Sequence, residues 1–156
     1  MRKLDQYDRS ILRHLQRDGR MSIVDLAERV GLSKTPTQRR VKMLEDDGLI
    51  EHYAAVLDPA SLGLNFCAWV MIRLGKHRRE TVDEFLAAVA KNDAITECCL
   101  VTGGADYMLR VHARDIKDYR DFMMADLVNL PGVTEVTTHV VLDEPKTRSS
   151  LPLPTD

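Results

Sequence analysis

Two groups of side chains in this 156-residue sequence have types and spacing suited to chemistry. The first lies in "SKTPTQRRVK", residues 33–42. On a helix, Lys34, Thr35, Gln38, Arg39 and Lys42 share one side. Such side chains donate to the phosphate oxygens and base edges of double-stranded DNA. A solvated face on an ordinary packing helix would carry the same residue types. The second group lies in "LVTGGADYMLRV", residues 100–111. Gly103-Gly104 suits a tight turn between two strands. Asp106, however, stands at the mouth of the apolar run Tyr107-Met108-Leu109, and a hairpin turn has no evident need of an acid there.

Other chemistries find no support in the residue spacing. Cys98 and Cys99 are adjacent and would face opposite ways on a strand, unlike a metal-binding C-x-x-C. His14, His52, His77, His112 and His139 show no ligand spacing, so no metal is expected. No nucleophile–base pair is legible, and Gly103-Gly104 lacks the rest of a dinucleotide fingerprint, so no cofactor is expected. An odd set of three cysteines without framework spacing suits a reducing, cytoplasmic setting. The N-terminal stretch has no signal-peptide pattern, and no apolar run approaches the roughly 20 residues of a membrane span. Charge is unevenly placed. Residues 1–50 carry 11 basic against 8 acidic side chains, and residues 51–156 carry 11 against 16. The positive excess at the N-terminal end fits an anionic partner, and equally a scatter of solvated charges.

The elements that would position the basic group read as three short helices. Asp5 is a candidate N-cap with Asp8 in the first turn, Tyr7, Ile11, Leu12 and Leu15 recur at helical spacing, and Gly19 is expected to end the helix in a left-handed conformation. Ser22, Asp25, Leu26, Val30 and Gly31 repeat the pattern. Ser33 is expected to cap the next helix, Pro36 falls in its first turn, and Gly48 stops it. Thr37, Val41 and Leu44 form its buried stripe. Only Gly31-Leu32 separates the second and third helices, which makes a tight helix-turn-helix, and the small Ala27 permits close crossing. The DNA-facing set expected from this segment is Ser33, Lys34, Thr35, Thr37, Gln38, Arg39, Arg40 and Lys42. Arg40 flanks the buried stripe and has two readings, a brace within the domain or a phosphate contact.

The rest reads as strand–helix–strand twice. Residues 53–57 are β-prone, and "DPASLGLN" is loop-like. Residues 66–73 form a strand apolar on both faces, with Phe66, Ala68, Val70 and Ile72 on one and Cys67, Trp69 and Met71 on the other. Thr81 and Glu84 predict a capping box for the following helix. Strands near 95–102 and 106–113 flank the glycines, Asp115 caps a second helix, and residues 133–142 form the last strand. The expected fold is α+β, a winged-type helix-turn-helix domain followed by a ferredoxin-like βαββαβ domain. The boundaries are 1–53 for the first domain, 54–63 for a linker, 64–144 for the second domain and 145–156 for an irregular tail. Both helices would cover one face of the sheet, so the apolar first strand predicts a second copy on the other face and a homodimer with twofold symmetry. Paired recognition helices suit a pseudo-palindromic operator.

With "LDQYDRSILRHLQRDGR", "LAERVGLSKTPTQRRVKMLEDDGLI", "TGGADY" and "LPGVTEVTTHVVLDE" in this order, nearly the whole chain resembles the Lrp/AsnC family, the leucine-responsive or feast/famine regulators. The resemblance implies a cytoplasmic transcriptional regulator, not an enzyme, that answers to an amino acid or related metabolite and assembles dimers into tetramers or octamers. It also implies an effector site at the hairpin, drawn from Val101, Thr102, Gly103, Gly104, Ala105, Asp106 and Tyr107. There the glycine N–H groups would take the effector's carboxylate and Asp106 its ammonium. The family places an acid and an aromatic where this chain has Gly104 and Ala105, so the implied effector has a bulky side chain. Siroheme decarboxylase subunits resemble the same architecture and form the enzymatic alternative. A sensor or assembly protein without DNA binding is the third.

Overall fold

The computed structural model describes residues 3–75, 78–146 and 150–153. It divides into two compact units, one of residues 1–56 with 146–156 and one of residues 57–145.

The first unit holds α1 (Gln6–Leu15), α2 (Ile23–Val30) and α3 (Lys34–Asp46). Asp5 opens α1 with a reciprocal capping box. Its carboxylate accepts from the Asp8 N–H at 2.8 Å while Asp8 accepts from the Asp5 N–H at 3.3 Å. Gly31, at φ 72°, ends α2 in the left-handed region. The Leu32 N–H then closes on the Ala27 carbonyl, which turns the chain straight into α3. Ile11, Leu12, Leu26, Val30, Val41 and Leu44 form the core. Two expectations are corrected here. The first helix stops at Leu15 with Gln16 as its right-handed C-cap, and Gly19 has no positive φ. Residues 53–57 form no strand, because no neighbouring backbone within the described chain supplies a ladder.

The second unit holds β1 (Phe66–Leu74), α4 (Arg79–Val89), β2 (Ile95–Leu100), β3 (Tyr107–Ala113), α5 (Ile116–Ala125) and β4 (Val133–Val140). The four strands form one antiparallel sheet in the order β2-β3-β1-β4. Alternation sorts β1 as expected. Phe66, Ala68, Val70, Ile72 and Leu74 are buried with Phe85 and Val89 of α4 and Tyr119 of α5. Cys67, Trp69 and Met71 face the other way, beside Met108 of β3, and are only half-buried. This face, on which Arg110 lies 5.4 Å from the centroid of the Trp69 ring, has no helix layer within the described unit.

The Thr81–Glu84 capping box is not formed. The helix begins at Arg79 after an Arg78 N-cap that makes no side-chain bond, so Thr81 is already inside it. Its methyl group instead crowds Gly132, at φ 73°, where a Cβ would collide with it. Asp115 caps α5 as expected and accepts from the Asp118 N–H at 2.8 Å. The strands around the hairpin are shorter than expected and stop at Leu100 and Tyr107.

Candidate nucleic-acid interface and effector site

α3 owes its position to a polar clamp as well as to its apolar stripe. The Arg40 guanidinium donates to Asp5 at 2.7 Å and to Asp8 at 2.8 Å, and it lies 5.4 Å from the centroid of the Tyr7 ring. The Asp8 side chain is only 2% exposed, so Arg40 here meets a carboxylate largely withdrawn from water. The hydrogen bond to Asp8 raises the Arg40 pKa above its ordinary value, more than burial lowers it. Burial also works to raise the Asp5 pKa, but the backbone hydrogen bond from Asp8 and the Arg40 contact outweigh it and leave the pKa lowered. Of the two readings of Arg40, these contacts are those of the brace, made by a side chain that is still a quarter exposed.

Thr37 leaves the DNA-facing set. It is fully buried, and its hydroxyl donates to the Ser33 carbonyl at 3.0 Å, as a threonine one turn into a helix commonly does. Ser33 occupies the N-cap position without a side-chain capping bond. Ser33, Lys34, Thr35, Gln38, Arg39 and Lys42 are exposed. Lys42 pairs with Asp46 at 3.1 Å, four residues on, with both side chains mostly in water. A pair this exposed contributes about 0–1 kcal/mol and exchanges readily for a phosphate. The face offers the backbone amides of the first turn, two lysines, one arginine and one amide within three turns of helix. It can hold phosphates at its start and read base edges along its length.

The hairpin answers the question posed by Asp106. The Asp106 N–H donates to the Ile72 carbonyl at 2.9 Å, which continues the β1–β3 ladder. The next rung would pair the Leu74 N–H, but β3 has already turned away, and the pairing of β1 with β4 shifts register between Arg73 and Leu74. The Asp106 carboxylate fills the gap and accepts from the Leu74 N–H at 2.7 Å. The acid therefore completes a strand end. Gly103, at φ 115°, makes the turn, and a Cβ at Gly103 or Gly104 would meet nothing within 4 Å.

The structure divides the expected effector residues. Thr102, Gly103 and Gly104 are exposed, and Val101 and Asp106 are half-buried. Ala105 and Tyr107 are buried, and the Tyr107 ring packs on Phe85 with centroids 4.9 Å apart. Tyr107 thus belongs to the core, and the Ala105 methyl lines no open space. The sequence reading missed Arg73. Its guanidinium donates to the Gly104 carbonyl and pairs with Glu135 at 3.4 Å. An exposed cation and an exposed acid thus stand side by side at the glycine turn. Their positions directly opposite each other on β1 and β4 become visible only once the sheet order is known.

Known proteins share both parts. Residues 4–51 match the family model described as winged helix-turn-helix DNA-binding, and residues 67–151 match the Lrp/AsnC ligand binding domain. The leucine-responsive regulatory protein of Salmonella typhimurium is 42% identical over 152 residues, which cover 97% of this chain and 93% of that protein. The proline dehydrogenase transcriptional activator of Rhizobium radiobacter is 41% identical over 143 residues, 92% of each chain. A transcriptional regulator of Neisseria meningitidis, solved as a complex with L-Met, superposes with a TM-score of 0.92 at 36% identity, covering 96% of this chain and 97% of the other. With a helix-turn-helix unit at one end, a ligand-binding sheet unit at the other and relatives alike over nearly their whole length, the chain belongs to the Lrp/AsnC family of transcriptional regulators.

Proposed function

We propose that this regulator binds a pseudo-palindromic operator as a homodimer and changes that binding when an α-amino acid occupies its hairpin. The observation that carries the DNA reading is the exposed row on α3. Gln38 and Arg39 are placed for base edges, whereas Lys34, Lys42 and Ser33 at the helix start serve phosphates. Dimerisation rests on the uncovered sheet face with Cys67, Trp69, Met71 and Met108, an apolar surface that a second copy covers by symmetry. Tetramers or octamers of such dimers follow from the family likeness alone.

The effector reading rests on zwitterion chemistry at the turn. Arg73 and the exposed glycine amides suit a carboxylate, and Glu135 supplies an acid for the ammonium alongside Asp106, one of whose oxygens already serves Leu74. The open space at Gly104 favours a bulky effector side chain, consistent with the L-Met bound by the Neisseria relative.

The experiment is selection of an operator from random DNA by the full-length protein, followed by titration of variants. Arg39→Ala is expected to lose roughly 1–3 kcal/mol of discrimination at one base position. Lys42→Ala is expected to weaken all sequences alike and to reduce the salt slope by about one unit. Equal losses on operator and random DNA for both variants would overturn this division of roles.

A further inference from the structure

The end of the chain returns to its beginning. Described tail residues 150–153 belong to the compact unit of residues 1–56, although β4 of the sheet unit precedes them in sequence. The contact is specific. The Leu151 N–H donates to Gln16 Oε1 at 2.6 Å, and Gln16 Nε2 donates to the Leu151 carbonyl at 3.4 Å. One side-chain amide thereby exchanges both bonds with one residue's backbone, as a neighbouring strand would. Two residues on, Leu153 is half-buried against the core of the helix-turn-helix unit. Together with Leu151 and Pro152 it forms one wall of a cavity of about 700 Å³ whose other walls include Leu12 and Leu15 of α1 and Ile50 and Tyr53 after α3. α1 is only ten residues long, and a helix that short depends on packing for its order.

We propose that residues 150–153 form a strap. The segment docks on the helix-turn-helix unit of the same chain, read by Gln16 and anchored by Leu153 against the core. The helix-turn-helix unit is thereby joined to the sheet unit by two stretches of chain rather than one, and the second stretch limits how far each helix-turn-helix unit can range. A unit on a single linker samples many positions, and restricting them raises the effective concentration of the second unit once the first has bound. The coupling to DNA rests on the operator reading above, while the docking itself does not.

The test uses the full-length protein with Leu153→Asp and, separately, Gln16→Ala, an exposed change that leaves the core intact. Amide hydrogen exchange in α1 is expected to rise roughly fivefold in Leu153→Asp, the equivalent of losing about half of a leucine's burial. Gln16→Ala is expected to give roughly two- to fivefold, the range for losing modest hydrogen bonds. Exchange in β1 should not change. Affinity for a selected two-site operator should fall severalfold in both variants, with affinity for a single half-site unaltered. Unchanged exchange in α1 in both variants overturns the docking. Faster exchange with unchanged two-site affinity overturns the strap as a coupling device. If the wild-type protein selects no DNA sequence, the operator reading fails, and the exchange data still decide whether the tail is docked.

Discussion

Asp106 and Glu135 make different demands on substitution, and this separates a strand-end role from an effector role. Asp106→Ala removes the acceptor of the Leu74 N–H and leaves that group partly buried without its 2.7 Å partner. Hydrogen bonds to charged groups contribute about 1.5–3 kcal/mol, and this one is only part-buried, so a loss of about 2 kcal/mol is expected. For a unit of this size, that lowers the melting temperature by roughly 8–16 °C. Asp106→Asn keeps a carbonyl oxygen within reach of the Leu74 N–H and should lose about 1 kcal/mol or less, the charge assistance alone. Trp69, the chain's single tryptophan, lies on β1 opposite Arg110, on the same strand as the affected rung at Leu74, and reports the sheet unit by fluorescence during urea or thermal unfolding. Glu135→Gln should leave that transition in place. It should weaken binding of L-methionine or L-leucine, followed by calorimetry, about tenfold or more, because the ammonium loses one charged partner. An Asp106→Ala protein that melts with the wild type would refute the rung. Asp106→Asn abolishing amino-acid binding while Glu135→Gln preserves it would return the ammonium to Asp106.

Two further outcomes follow from the helix-turn-helix unit. Arg40→Met removes one charged partner of a nearly buried Asp8 and should destabilise this unit by about 2–3 kcal/mol, below the full cost of breaking a buried pair because Arg40 is a quarter exposed; calorimetric unfolding measures it, and a loss under about 0.5 kcal/mol would show that the other contacts of Asp8 suffice. Burial, helped by a 2.9 Å hydrogen bond to Glu45, pushes Tyr53 up to about 12 from 10, so the fold favours its neutral phenol. Stability from this shift is complete below pH 10 and is lost as pH rises through about 12. Tyr53→Phe should therefore flatten the decline of stability across that window and remove one late step from the phenolate absorbance titration, and an unchanged titration would refute the shift.

The fold was legible wherever its signals were local. Asp5 with Asp8, Ser22 with Asp25 and Asp115 with Asp118 announce helix starts within four residues, and the capping bonds are all present. Gly31 ends its helix as read, since nothing but a left-handed residue lets Leu32 reach back to the Ala27 carbonyl. The misread signals were also local in form, but contacts from elsewhere decided them. Thr81 and Glu84 have capping-box spacing, yet the helix starts two residues earlier at Arg79, and Gly132, 51 residues on, receives the threonine methyl. Gly19 lies beyond a helix that had already ended at Leu15.

The site was legible as chemistry and illegible as partnership. Lys34, Gln38 and Arg39 needed only helical spacing to be placed on one exposed face. Thr37 and Arg40 lie on the same helix and have equally suitable donors, but one is consumed by its own helix turn and the other by Asp5 and Asp8. The helical period had already placed Thr37 in the buried stripe, but no period marks Arg40, because its partners lie 32 and 35 residues away at Asp8 and at Asp5, the N-cap of α1. Asp106 follows the same logic at the hairpin. Its charge suggests a ligand, but a register shift between Arg73 and Leu74 leaves an N–H needing an acceptor, and a backbone donor held 2.7 Å away by the fold competes with any ligand that must first be bound. Arg73 and Glu135, 62 residues apart and unremarkable in sequence, inherit the exposed position at the turn. A charged residue at a strand end is thus better weighed first against the ladder's unpaired rungs. On the proposed effector reading, only the capacity left over is available to a ligand, and the exposed charges at this hairpin are those of Arg73 on β1 and Glu135 on β4.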